Sequence, residues 1–323
     1  MNITQQIVAL LKNGKLIAIP TETVYGLGAD AKNPAAIQRI YEVKGRPITN
    51  PLIIHIPNSD AMQAFAIDIP TTAKQLARAF WPGPLTLILK RHPSVPLVVT
   101  AGQETVALRV PNHPLTLAIL EAFGGGIAAP SANRSGHVSP TTTEHVRDEL
   151  GTAVDYILEG GACQIGIEST IVDLSSDTPT ILRPGSISQA ALEAVLGCPV
   201  LYHQNPTIQV PGNSLSHYAP LQPLYLLSFQ ILMHTVEKLL KKSSSFSVLS
   251  FEPKPLLANT PLIEWIMVDK DPVLYAQQLY HHLHAFDKTT GCCILVESPP
   301  NTLDWNAIID RLQRAHSPTS LLF

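Results

Sequence analysis

Two short segments of this 323-residue chain carry polar groups in a pattern that a folded core does not require. One is Pro20-Thr21-Glu22-Thr23-Val24-Tyr25-Gly26-Leu27-Gly28, and the other is Lys44-Gly45-Arg46-Pro47-Ile48-Thr49-Asn50-Pro51-Leu52. The first follows an apolar run, Leu16 to Ile19, that reads as a buried strand. It presents two hydroxyls, a carboxylate and a phenol on a turn punctuated by glycine. The second sets two cations close together where a helix should stop. Hydroxyls and glycines facing fixed cations point to an anionic ligand, a phosphate ester above all. Each segment alone also has a plainer reading. Threonine-rich turns end many strands, and Lys44 and Arg46 could serve only the dipole of a helix C-terminus, with Gly45 at the C′ position.

A third loop, Ser131-Ala132-Asn133-Arg134-Ser135-Gly136-His137-Val138-Ser139-Pro140, brings three serines, an asparagine and a glycine to the start of a helix. Thr141 and Glu144 form a capping-box pattern there, and the exposed N–H groups of that helix end favour an anion. An ordinary Ser/Asn turn is the alternative. Arg109 interrupts an apolar strand, Val106 to Val110, so it must be paired, either with a structural carboxylate or with the carboxylate of a ligand. Arg183 ends a strand before Pro184-Gly185 and faces either solvent or phosphate; Glu168-Ser169-Thr170 opens another polar strand end. His55 sits between Ile54 and Ile56, and on the residues alone it reads as a satisfied core histidine. The chain has no nucleophile elbow and no phosphate-binding G-x-x-x-x-G-K-[ST] loop. Chemistry without a nucleophile points to positioning and charge stabilisation, as in phosphoryl and nucleotidyl transfer.

The elements that position these residues alternate between helix and strand through the first two hundred positions. Amphipathic spacing predicts a helix over residues 3–13, and Asn33-Pro34 reads as an N-cap and N1 pair opening another through Tyr41. Further helices are predicted over 71–80, 115–123 and 188–196, the last stopping at Gly197. Strands are predicted at 15–20, 51–56, 85–89, 105–110, 127–130, 154–158, 169–174 and 179–182. Residues 199–222 lose any period and read as a linker or active-site loop. The last hundred residues read as a smaller α/β unit, with strands at 224–227, 247–251 and 292–296 and helices near 230–242, 272–286 and 305–314.

Composition sets the outer limits. The chain is 45% hydrophobic and 15% charged with a formal net charge of −3, which argues for a globular protein and against bulk electrostatic binding to nucleic acid. Cys163, Cys198, Cys292 and Cys293 form no C-x-x-C pair, and His281, His282 and His284 lack the i, i+4 spacing of a helical zinc pair, so no metal ligands are expected. No apolar run approaches a membrane span and the N-terminal residues lack the features of a signal peptide, so a reducing cytoplasm is the expected location.

In this order the motifs resemble the YrdC-type family of L-threonylcarbamoyladenylate synthases. The matching stretches are Pro-Thr-Glu-Thr-Val-Tyr-Gly-Leu-Gly at 20–28, Lys-Gly-Arg-Pro at 44–47 with Asn50-Pro51-Leu52, and Ser-Ala-Asn-Arg-Ser-Gly at 131–136. Glu-Ser-Thr-Ile-Val-Asp at 168–173 and Leu-Arg-Pro-Gly at 182–185 complete the set. His217-Tyr218-Ala219-Pro220 and the unit beyond it resemble the family's long form with its extra C-terminal domain. The resemblance implies an α/β fold: a YrdC-like twisted mixed sheet flanked by helices over 1–200, a linker over 201–222, and a smaller Rossmann-like α/β domain over 223–323. It implies a nucleotidyltransferase that makes threonylcarbamoyl-AMP and pyrophosphate from L-threonine, bicarbonate and ATP, with magnesium accompanying the nucleotide. Downstream, separate transferase proteins would use the product to modify tRNA.

By the same resemblance, Thr23, His55, Arg109 and Ser169 would hold threonine, with Thr21 and Tyr25 shaping that side. Lys44, Arg46 and Asn50 would meet the triphosphate, Lys44 and Arg46 being the catalytic pair. Thr105, Ser131, Ser139 and Arg183 would contact the nucleotide, supported by Asn133. His217 and Tyr218 would belong to a loop closing over the site. Lys44 and Arg46 are read as exposed cations at a helix end, whose replacement by alanine abolishes turnover and spares the fold. Two other readings stand beside the synthase: an RNA-binding module of the same fold with weak RNA contact, and the related carbamoyl-adenylating domain of hydrogenase-maturation proteins. The second of these carries cysteine pairs that this sequence lacks.

Overall fold

A computed structural model describes residues 2–203, 208–212, 218–258 and 260–318. The chain forms two compact units, one of Met1–Ser135 with Ser139–Asn213 and one of Gly136–Val138 with Ser214–Phe323. In chain order the strands of the first unit are β1 Ile17–Ile19, β2 Gly26–Asp30, β3 Ile53–His55, β4 Ala66–Ile67, β5 Leu85–Arg91, β6 Thr105–Arg109, β7 Ile127–Ala128, β8 Tyr156–Ile157, β9 Thr170–Asp173, β10 Thr180–Arg183 and β11 Leu201–Tyr202. Its helices are α1 Ile3–Lys12, α2 Pro34–Lys44, α3 Thr71–Phe80, α4 Leu97–Thr100, α5 Pro114–Phe123, α6 Thr143–Leu150 and α7 Gln189–Leu196. The strands make one mixed sheet in the order β11-β10-β9-β5-β6-β3-β7-β2-β1-β8, with β4 on β5.

Local chemistry sets most helix ends. The Asn2 side chain accepts from Gln5 N and forms a capping box, while Asn33 accepts from Ala36 N with Pro34 at N1. Helix α2 stops at Gly45, whose φ of 59° is left-handed, and Ser188 and Gly197 bound α7 in the same way. The expected capping box at Thr141 and Glu144 is not formed. Thr142 caps α6 by accepting from His145 N, because the Thr141 hydroxyl is engaged with His145 Nδ1 at 3.3 Å.

Strand β2 goes unread in the sequence because Gly26-Leu27-Gly28 looks like a turn. The glycines are there for close packing: a Cβ on Gly28 would lie 2.8 Å from Ile127 Cγ2, and one on Gly26 3.1 Å from Ala129 Cβ. Residues 201–202, expected in the linker, instead pair in parallel with β10 and extend the sheet.

Side-chain alternation divides the centre of the sheet into two faces. Ile54, Leu85, Leu87, Leu89, Val106, Leu108 and Val172 join the main core with Ile37, Ile40, Ala73 and Leu76 of α2 and α3. Ile53, Ile88, Ala107, Ile171 and Leu182 form a smaller apolar patch on the other face. That second face carries the candidate site.

The second unit contains β12 Leu224–Leu227, α8 Phe229–Lys241, β13 Phe246–Ser250, β14 Ile263–Met267, α9 Pro272–Asp287, β15 Ile294–Glu297 and α10 Asn306–Ala315. Its four strands are all parallel, in the order β12-β15-β13-β14. Parallel strands need crossover helices, which cover the faces and account for the fully buried run Ile294-Leu295-Val296. Strand β14 goes unread in the sequence. No helix among the described residues is long and apolar enough to cross a membrane.

Candidate functional site

The parallel register of β3 and β6 places His55 opposite Arg109 and Ile53 opposite Ala107. Strand β5 pairs with β6 on one side and β9 on the other, which sets Ile88 against Ala107 and Thr86 against Ile171. One face therefore carries His55, Thr86, Thr105 and Arg109 around the apolar patch, and a register shift between Ile181 and Arg183 brings Arg183 to the same face beside Ser169. The Thr86 and Ser169 hydroxyls are 2.7 Å apart. Arg183 donates from Nε and Nη2 to Ser169 O at 3.1 and 2.9 Å, and from Nη2 to Ser169 Oγ at 3.1 Å.

The chain just after β11 returns over this face. Val210 is buried in the apolar patch with Ile208 packed beside it. Pro211 O accepts from Arg183 Nη1 at 3.0 Å. Gln209 and Gln103 pair reciprocally: Gln209 N donates to Gln103 Oε1, and Gln103 Nε2 donates to Gln209 O, both at 3.0 Å.

Three loops interlock at the edge of the face. The first is the 20–25 turn, where Thr21 Oγ1 donates to Val24 O at 2.6 Å and sits 2.8 Å from Thr23 Oγ1. Its backbone is tied to the second loop by Tyr25 N to Pro140 O at 2.9 Å and Ala132 N to Tyr25 O at 2.8 Å. It is tied to the third by Ile165 N to Glu22 O at 2.7 Å. Tyr25 Oη donates to Gly161 O at 2.7 Å, and burial pushes its phenol up to about 12, so it is a neutral donor.

Lys44 and Arg46 are buried, contrary to their reading as exposed helix-end cations. Lys44 Nζ donates to Ser131 O at 2.5 Å and to Asn133 O, and Lys44 O accepts from Ser135 N at 2.8 Å. The ammonium therefore folds the 131–135 loop around itself. Burial, followed by the nearby Arg46 charge, holds its pKa well below the usual lysine value. Arg46 donates from Nε to Asn50 O at 3.1 Å and from Nη2 to Pro51 O at 2.9 Å. Asn50 thus meets Arg46 through its backbone.

Arg109 finds the structural partner that its apolar strand required. Its Nη2 lies 2.7 Å from Glu22 Oε1 with both side chains buried, and its Nε donates to Gly83 O at 3.3 Å. Glu22 Oε2 accepts from Asn112 N at 3.0 Å. Beside Arg109, His55 is 3% exposed. Burial first, and the Arg109 charge second, lower its pKa to about 3, so the imidazole is neutral.

Sequence reasoning left Glu22 and Glu168 unassigned. Glu168 Oε1 accepts from Ser139 Oγ at 2.6 Å, so Ser139 is engaged by a carboxylate. A buried carboxylate inside a polar turn gives no periodic signal; only the chain brought opposite it reveals its partner. Thr23 and Asn133 are buried within the loops, and Thr105 and Ser131 lie at the rim, partly exposed. Tyr218 belongs to the second unit, where its ring is buried, stacks on Tyr280 at 6.0 Å and lies 5.1 Å from Arg311 Cζ. His217 lies outside the described residues. No cluster of potential metal ligands occurs among the described residues.

The Sua5/YciO/YrdC family model, described as "Telomere recombination", matches residues 9–185, and the model for the "Threonylcarbamoyl-AMP synthase, C-terminal domain" matches 187–317. A Bacillus subtilis protein named threonylcarbamoyl-AMP synthase is 41% identical over 318 residues, covering 96% of this chain and 92% of that protein. A Pyrococcus abyssi protein of the same name is 46% identical over 215 residues, covering 65% of this chain and 63% of its relative. The crystal structure of P. abyssi Sua5 complexed with L-threonine superposes with a TM-score of 0.90 at 35% identity, covering 97% of this chain and 93% of that one. Both domain models and near full-length identity agree with the convergent loops, and the chain belongs to the threonylcarbamoyl-AMP synthase family, in the long form with the additional C-terminal domain.

Proposed function

We propose that this chain condenses L-threonine, bicarbonate and ATP into threonylcarbamoyl-AMP, releasing pyrophosphate and water. The observation that carries the reading is that the separated motifs fold into one connected network. Lys44 holds the 131–135 loop, that loop holds the 20–25 turn, and Glu22 of the turn reaches Arg109 on the polar sheet face. A bound threonine in the P. abyssi structure supports an amino-acid pocket in this fold.

Arg109 pairs with the threonine carboxylate, and Ser169, Thr23 and the neutral His55 supply short-range donors and acceptors, with Thr21 and Tyr25 shaping the pocket wall. The threonine ammonium releases a proton to solvent and the free amine attacks the carbon of bicarbonate; the C–OH bond breaks, the hydroxyl leaves as water with the second amine proton, and a carbamate remains. A carbamate oxygen then attacks the ATP α-phosphate, and the bond to the β-phosphate oxygen breaks. In this reading Lys44 and Arg46 offset charge on the departing pyrophosphate, with Asn50 beside them. Thr105, Ser131, Asn133, Ser139 and Arg183 line or brace the nucleotide side, and in this reading His217 and Tyr218 also serve the nucleotide. Magnesium enters with ATP as part of the substrate. The segment 208–212 excludes water from the apolar half of the face, which suits a product that water would hydrolyse.

The product is an activated acyl group, so an acceptor-modifying step must consume it; a transferase acting on tRNA is that step in this reading. Cytoplasmic location follows from the same reading. The RNA-binding alternative leaves the buried Arg109–Glu22 pair and neutral His55 without a task. The test is pyrophosphate release from MgATP by the purified chain. Release that requires both L-threonine and bicarbonate is expected, and release indifferent to threonine would overturn the assignment.

A further inference from the structure

Glu22 is the one carboxylate in direct contact with Arg109 among the described residues, and no role in the reaction above falls to it. Its side chain is 4% exposed and Arg109's residue is equally buried. The two groups approach to 2.7 Å, yet Glu22 Oε1 and Arg109 Nη2 form no aligned hydrogen bond with each other or with any described atom. The contact is therefore a close ionic one without an aligned N–H···O bond. Nε is fixed by Gly83 O, and Glu22 is fixed from behind by Asn112 N. The guanidinium is held at two edges, with donors left for a ligand.

The charges around the pair are few. His55 beside Arg109 is neutral, and burial with the Glu22 charge pushes the Cys163 thiol up to about 12, so it too is neutral. The Arg109–Glu22 contact thus sets one buried plus against one buried minus, while the Arg183 guanidinium is engaged separately by Ser169 and Pro211 O. A lone buried arginine attracts any carboxylate, whatever else the ligand bears. A neutral pair in a low-dielectric pocket gives a net anion little, because attraction to Arg109 is offset by repulsion from Glu22. A ligand with both a carboxylate and an ammonium satisfies both charges.

We infer that Glu22 is a specificity-determining residue: its carboxylate, held against Arg109, makes the pocket select zwitterionic amino acids over simple carboxylic acids of the same shape. This deepens the threonine reading and rests on it. Contacts to the threonine hydroxyl alone would not separate the amino acid from its hydroxy-acid analogue, since both carry that hydroxyl.

The test compares binding of L-threonine and of (R)-3-hydroxybutanoate, which is threonine without its amino group, by calorimetry on the full chain without ATP. Wild type should bind threonine at least about tenfold more tightly, and Glu22→Gln, isosteric and uncharged, should narrow that ratio by about tenfold or more. Glu22→Asp keeps the charge and should keep the preference, which a purely structural role does not predict. If Glu22→Gln fails to fold, Glu22→Ser, with room for water at Arg109, carries the same expectation. A folded uncharged variant with the wild-type ratio overturns the inference and leaves the synthase reading standing. Wild type that binds no threonine overturns both.

Discussion

His55 gives a prediction that tests the electrostatics of the pocket without any substrate. Its imidazole titrates near 6.5 in the unfolded chain and at about 3 when folded, because burial and the adjacent Arg109 charge both oppose protonation. The sign follows from proton counting. Below about pH 6.5 the unfolded state binds a proton that the folded state refuses, so stability is full above 6.5 and falls as pH drops toward 3. Between pH 7.5 and pH 5 the loss from this one group is about 2 kcal/mol. For a unit of this size that lowers the melting temperature by about 4–8 °C.

The chain has twelve histidines, so the raw pH dependence of wild type is not diagnostic. His55→Gln removes this titration alone. Thermal melts of wild type and variant at both pH values give a double difference in which the other groups cancel. Wild type should lose about 4–8 °C more than the variant on acidification. Parallel curves for the two proteins would refute the reasoning, because they would mean that His55 takes its proton at an ordinary pH despite its burial.

Three further outcomes are expected. Lys44→Met should abolish pyrophosphate release and also cost about 2–4 kcal/mol, since two carbonyls of the 131–133 loop lose a charged donor; an unchanged melting temperature would show that the clasp carries no stability. Gln103→Ala removes both contacts to Gln209 and should speed amide hydrogen exchange at Gln209 by about tenfold, with the global melt unmoved. Iodoacetamide at pH 8 should label the exposed Cys292 and spare Cys163 until the chain is unfolded, because a thiol raised to about 12 holds almost no thiolate; equal labelling rates in the native protein would contradict its burial.

Much of the architecture is written locally. Asn33-Pro34 and Gly45 bound α2, Ser188 and Gly197 bound α7, and the short apolar runs within residues 85–89 and 105–109 mark the central strands. These features act within a few residues, so the sequence alone carries them. The motif order likewise identified the family and most of the residues that the fold gathers.

Tertiary structure decided the rest. Nothing local shows that Lys44 is buried, because its two acceptors lie 87 and 89 residues away along the chain. The partner of Arg109 could be read from the sequence only as some carboxylate; Glu22 is chosen because the 20–25 turn docks beside the end of β6. Strand β2 was hidden by glycines whose purpose is the close approach of β7. The sheet face that carries the site depends on register, and a one-residue slip would have sent His55 and Arg109 to the opposite side. Charge burial and strand register are properties of contacts between distant segments, so they exist only once the chain has folded.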